Sequence, residues 1–170
     1  MINRLAAGVV GALIWCGVAT PAEPENGMLA PPAGARLLLR SAGDGVQIYI
    51  CRAKGDGFAW VFQAPEATLV DETGRKAAKH FAGPSWEAED GSIVVGDVAA
   101  KADAPSGSDI PWLLLRAKSH SGSGRFTTVA FIQRLNTKGG AAPEGGCDVA
   151  HRNAEARVHY SATYVFYAAP

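Results

Sequence analysis

The stretch KHFAGPSWEAEDGS, residues 79–92, gathers residue types that hydrolytic and sugar-binding sites use: His80, Trp86 and the carboxylates Glu87, Glu89 and Asp90. A histidine beside a carboxylate is a general acid–base pair. Two carboxylates cleave glycosides when they flank the bond at about 5 Å or about 6.5–9.5 Å. Glu87 and Glu89 on one strand face would stand about 7 Å apart, from a rise of about 3.3 Å per residue. The plainer use of such acids is as solvated turn residues. Gly83-Pro84 sets a turn, Trp86 opens a strand, and Asp90-Gly91 turns the chain into SIVVG, so hairpin punctuation accounts for most of the stretch. His80 and Glu87 exceed that need. Either His80 is structural, bonded to a backbone carbonyl or a carboxylate, or it joins Trp86 and Glu87 in a polar patch on an aromatic floor.

Other chemistries find less material. His80, His120, His151 and His159 are far apart, with no His-x-His or His-x-x-x-His, so no local metal pair exists. HSGSGRF is not a Gly-x-Ser-x-Gly elbow and reads as a turn between two strands. The glycines lie between β-type segments, which disfavours a dinucleotide fingerprint. A second polar cluster, Gln133, Arg134, Asn136 and Thr137, precedes KGGAAPEGGC. Arg134 can hold an anion through its guanidinium fork. It can equally pair with Glu87 or Asp90 and pin a loop, and the Gly-rich segment beside it favours pinning.

The elements that must position these residues are strands. ARLLLRS, AGDG and VQIYICRA read as a strand, an Asp-Gly turn and a second strand, with Gln47, Tyr49 and Cys51 on one face and Val46, Ile48 and Ile50 on the other. FAWVFQ, ATLVDE, SIVVGDVAA, WLLLRAKS and FTTVAFIQRLN follow. In RVHYSATYVFYA, Val158, Tyr160, Ala162, Tyr164 and Phe166 share one side. No window after residue 36 sustains helical periodicity over three turns, so the expected fold is all-β: a single antiparallel β-sandwich or closed β-barrel with little helix.

The chain of 170 residues suits one domain. Arg4, the apolar run LAAGVVGALIWCGVA and small residues after it have the form of a secretory signal, cleaved after Ala19 or Ala22. Ile14 and Trp15 ahead of Cys16 fit lipoprotein processing poorly. Residues 1–22 are thus the expected signal peptide, 23–35 a mobile Pro-rich arm, and 36–170 the domain, secreted or periplasmic and without a membrane span. Cleavage removes Arg4 and no acid, leaving 15 bases against 16 acids with no basic stripe, which sets nucleic acid aside as a partner. Cys51 and Cys147 are the cysteines left, and in an oxidising compartment the pair is expected to be bonded rather than to supply a reactive thiol at Cys51.

The blocks GVQIYIC, FAWVFQAPEATLVDETG, HFAGPSWEAEDGS, IPWLLLRA, IQRLNTKGGAAPEGGC and VHYSATYVFY, in this order, resemble an uncharacterised family of small secreted bacterial and fungal proteins, catalogued only as a domain of unknown function. The resemblance spans residues 36–170 and implies no reaction or ligand.

The residues themselves carry the functional expectation. The loop bearing His80, Gly83, Pro84, Trp86 and Glu87, with Trp112 and Arg134, is expected to rim a shallow site free of metal and cofactor. It would take a small-molecule or glycan ligand. The alternative is a hydrolase-like enzyme using His80 and a nearby carboxylate.

Overall fold

The computed structural model describes residues 27–170, so the signal segment, Cys16 and the start of the Pro-rich arm lie outside the described residues. Eight antiparallel strands follow one another around a closed barrel: β1 (Arg36–Lys54), β2 (Gly57–Asp71), β3 (Lys76–Phe81), β4 (Ser85–Ala88), β5 (Ile93–Ala102), β6 (Trp112–Ser121), β7 (Val129–Gly139) and β8 (Glu155–Ala168). The ring closes where β8 pairs with β1, from Arg36↔Ala168 to Ile50↔Glu155. Closure leaves no sheet edge, which decides between barrel and sandwich.

Two sequence expectations fail on β1 and β2. AGDG is not a turn: β1 runs straight through it, paired on both sides. Its glycines serve close approach instead. A Cβ on Gly43 would lie 2.6 Å from the Tyr164 ring, and one on Gly45 would collide with the Glu66 carbonyl oxygen. Likewise FAWVFQ and ATLVDE form one strand. Ile48 pairs with Ala64 and Tyr49 with Phe62, so Gln63 is an extra residue in a bulge that lets the strand turn past Pro65.

The alternation on β8 holds, and Tyr160, Ala162, Tyr164 and Phe166 point inward. The face of β1 that carries Gln47, Tyr49 and Cys51 is also the inner one, while Val46, Ile48 and Ile50 lie half-buried outside. One end of the interior is apolar. There Phe126, from the 3₁₀ turn Arg125–Thr128, stacks on Phe166 at 4.7 Å beside Leu39, Leu69, Trp86 and Ile132. Asp90 fixes that turn: it accepts from Ser92 N and Oγ at 3.0 and 2.5 Å and from Arg125 N at 2.8 Å, and Ser92 Oγ accepts from Phe126 N. The Arg125 amide bond, with those from Ser92, holds the Asp90 carboxyl at about 2. Asp90→Ala is therefore expected to lower the melting temperature by several degrees while the far-ultraviolet spectrum stays β, measured by thermal circular dichroism.

Ahead of β1, Leu29 is buried against the outside of the barrel with Leu114, Leu135 and Trp112, and its carbonyl accepts from Gln133 Nε2 at 2.6 Å. Residues from Gly27 onward thus strap the outer face of β5–β7.

Candidate functional site

Toward the other end the interior opens into a cavity of about 430 Å³, mostly apolar with a few polar side chains. Tyr49 and Phe62, ring centroids 5.8 Å apart, form one wall. The β3–β4 turn (Ala82, Gly83, Pro84) and Ile110, Pro111 and Leu113 form others, and the exposed Phe62 and Val98 stand at the rim. Gly83, at φ 134°, occupies a position where a Cβ would strike Ser85 Oγ.

His80 reaches the cavity from β3 and is 3 % exposed. Its ring lies flat on Trp86 at 4.4 Å and meets the edge of Tyr164 at 5.3 Å. Nδ1 donates to the Ser85 carbonyl at 2.9 Å, because a carbonyl can only accept, so Nε2 carries the lone pair. Burial drives its pKa down to about 3, against the pull of the Ser85 bond and with help from Arg134. It is a neutral imidazole at any ordinary pH.

Arg134 comes from β7. Its Nε and Nη2 both donate to the Pro111 carbonyl, at 3.1 and 2.8 Å, and it lies beside the Tyr164 hydroxyl. The Pro111 segment is itself fixed, since Thr137 Oγ1 donates to the Ile110 carbonyl and Ile110 N to Gly139 O. The Tyr160 and Tyr164 hydroxyls are 2.8 Å apart, and Tyr49 donates to the Gly140 carbonyl at 2.6 Å. Burial raises the pKa of all three phenols, Tyr164 the most, so none is a phenolate at neutral pH. Gln47 lies beside the Tyr160 hydroxyl, yet its buried Nε2 makes no hydrogen bond of good geometry. Among the described residues no group of three or more His, Cys, Asp or Glu is placed to hold a metal ion.

The model of a family described as a protein of unknown function (DUF3455) matches residues 32–168. The chain belongs to this family. No curated protein and no solved structure matches it.

Of the residues that stand out in the sequence, the DUF3455 barrel brings His80, Gly83, Pro84 and Arg134 to one cavity, with Trp86 beneath His80 and 1 % exposed. It does not bring Glu87 or Trp112 there. Glu87 follows Trp86 on β4 and so points outward, opposite Lys79 and Ile93. Trp112 packs outside with Leu29, leaving its neighbours Pro111 and Leu113 to line the cavity. Arg134 pins a loop, but through the Pro111 carbonyl rather than Glu87 or Asp90. Asp90 is committed to the Arg125 turn and Glu89 to Lys76.

Gln47, Tyr49 and Phe62 complete the lining of the DUF3455 site, with the paired Tyr160 and Tyr164 hydroxyls buried behind it, and no sequence motif marks them as functional. A signal is present all the same: Gln47 and Tyr49 share a strand face with Cys51, and Tyr160 and Tyr164 share one with Phe166. Polar atoms on a core-facing register call for partners or a ligand.

Proposed function

We propose that this DUF3455 domain is an exported binding protein that holds one small, mostly apolar organic molecule in the mouth of its barrel. The observation that carries the reading is the cavity of about 430 Å³, walled by Phe62, Pro65, Pro84, Val98 and Leu113 with a few polar groups at one place. That size and lining are usual for small-molecule sites. Export agrees with the Cys51–Cys147 disulfide and with the apolar run after Arg4. The hydrolase alternative has less behind it. Among the described residues no Asp or Glu lines this cavity, and a histidine held at about 3 is a poor base near neutral pH.

N-phenylnaphthylamine, a neutral probe that fluoresces in apolar surroundings, tests the reading. Saturable enhancement with one site per chain is expected. Phe62 and Val98 are each 52 % exposed, so changing them spares the core. Phe62→Ala should weaken binding about threefold to tenfold, from lost apolar contact, and Val98→Trp should crowd the mouth and weaken it further. Absence of saturable binding, or binding indifferent to both changes, refutes the proposal.

A further inference from the structure

We infer that the ligand of this cavity is a compact organic monoanion, a single carboxylate on an apolar body, with its acid group against Arg134; the inference rests on the binding reading above. Among the described residues, Arg134 is the one charged side chain lining the cavity. Among the described residues it forms no ion pair: the carboxylates that do are Asp44, Glu66, Asp71, Glu89, Asp109, Asp148 and Glu155, each with another partner. Nor does a phenolate neutralise it, since burial keeps Tyr49, Tyr160 and Tyr164 protonated.

A guanidinium has five N–H donors. Here the Pro111 carbonyl takes Nε and one on Nη2, so the fork is held in place with donors left over. A half-buried cation without a counter-ion is costly, and an arriving carboxylate relieves that cost through charge-assisted hydrogen bonds. Gln47 adds an independent sign. It is 2 % exposed, lines the same cavity, and its Nε2 is unsatisfied, so the polar patch is incomplete as the protein stands. Gln47 and Arg134 flank the paired Tyr160 and Tyr164 hydroxyls, which places both at the same end of the cavity. One cation among Phe62, Pro65, Pro84 and Leu113 matches one negative charge on an apolar body; a phosphate dianion calls for more donors than this wall offers.

Naphthoate and its neutral near-isostere naphthamide, titrated calorimetrically at neutral pH, separate the charge from the apolar body. Wild type is expected to bind naphthoate about tenfold or more tighter than naphthamide, in line with a charge-assisted hydrogen bond. That lead, read as the ratio of the two affinities within each protein, should shrink at high salt, disappear in Arg134→Met, and survive in part in Arg134→Lys. Equal affinity of the two probes for wild type, or a lead that salt and Arg134→Met leave intact, overturns the inference. If naphthamide and N-phenylnaphthylamine bind and naphthoate has no advantage, the anion alone is wrong. If none of the three binds, the cavity reading falls with it. The salt series on wild type decides the matter even if Arg134→Met does not fold.

Discussion

Replacing both Cys51 and Cys147 with alanine is expected to cost about 4 to 5 kcal/mol of folding free energy, a large share of what holds a small domain together. The two sulfurs are bonded, and the bridge spans 96 positions of sequence. In the chain-entropy account a bridge of that span removes about this much freedom from the unfolded chain. The native side of the balance is favourable too. Cys51 is fully buried and sits at the end of the long β1–β8 pairing, where Cys51 N donates to the Ala154 carbonyl and Asn153 N to the Cys51 carbonyl. Beyond the end of β7, the Gly-rich segment from Gly140 to Cys147 has little else to hold it: a short bridge at Gly140 with Ala141 N donating to the Ser108 carbonyl, Tyr49 donating to the Gly140 carbonyl, and Trp60 Nε1 donating to the Gly145 carbonyl at 2.8 Å. Without the bridge, the backing of Tyr49 loosens as well, so ligand affinity should fall together with stability. Urea unfolding of the oxidised wild type and the double alanine variant measures the difference. A gap below about 1 kcal/mol contradicts the expectation, as do two free thiols in the denatured, unreduced wild type.

How far the fold can be read from the chain depends on whether a residue's meaning is local. The period-two pattern of β8 is local, and Tyr160, Tyr164 and Phe166 face the interior as the alternation predicts. The glycines of AGDG mislead because their reason is not local. Gly43 makes room for the ring of Tyr164 on β8, and Gly45 for the backbone of β2 at Glu66. An Asp-Gly pair looks the same in a turn as in a strand that must let a neighbour through. Closure has the same character, since the pairing of β1 with β8 leaves no mark on either segment alone.

The site is legible by residue type and partly illegible by face. His80 and Arg134 are recognisable as more than turn chemistry, and both line the cavity. Glu87 is excludable by counting, because the residue after Trp86 on a strand cannot share its side. Trp112 is harder. Its outward direction follows from the docking of Leu29, a contact made by a segment whose composition suggests a mobile arm. The polar register of Gln47 and Tyr49 is visible, but only the barrel shows that this face, rather than that of Ile48 and Ile50, is the inner one.

His80 should also make the protein measurably acid-labile well above the range where carboxylates protonate. The unfolded chain takes up a proton on this imidazole as pH falls through about 6.5, whereas the folded protein resists until about pH 3. The unfolded state therefore binds more protons across that window, and stability falls as pH falls through it. The slope is about 1.4 kcal/mol per pH unit once the window is entered, and the loss reaches on the order of 4 kcal/mol at its acid end. Asp71, Asp90 and Asp148, whose carboxyls are held below their ordinary value, add their own losses only below about pH 4. Between about pH 6 and 4.5 the decline is thus expected to belong to His80. His80→Asn tests this, because an amide N–H can replace the Nδ1 donor to the Ser85 carbonyl without titrating. That variant should be less stable at neutral pH, having lost the ring stacked on Trp86 at 4.4 Å, yet keep its remaining stability nearly constant from pH 6 to 4.5. Urea midpoints at a series of pH values supply the curves. A flat wild-type curve in that interval, or an equal slope in both proteins, means that the folded structure admits the proton. The neutral His80 on which the cavity chemistry depends would then be lost with it.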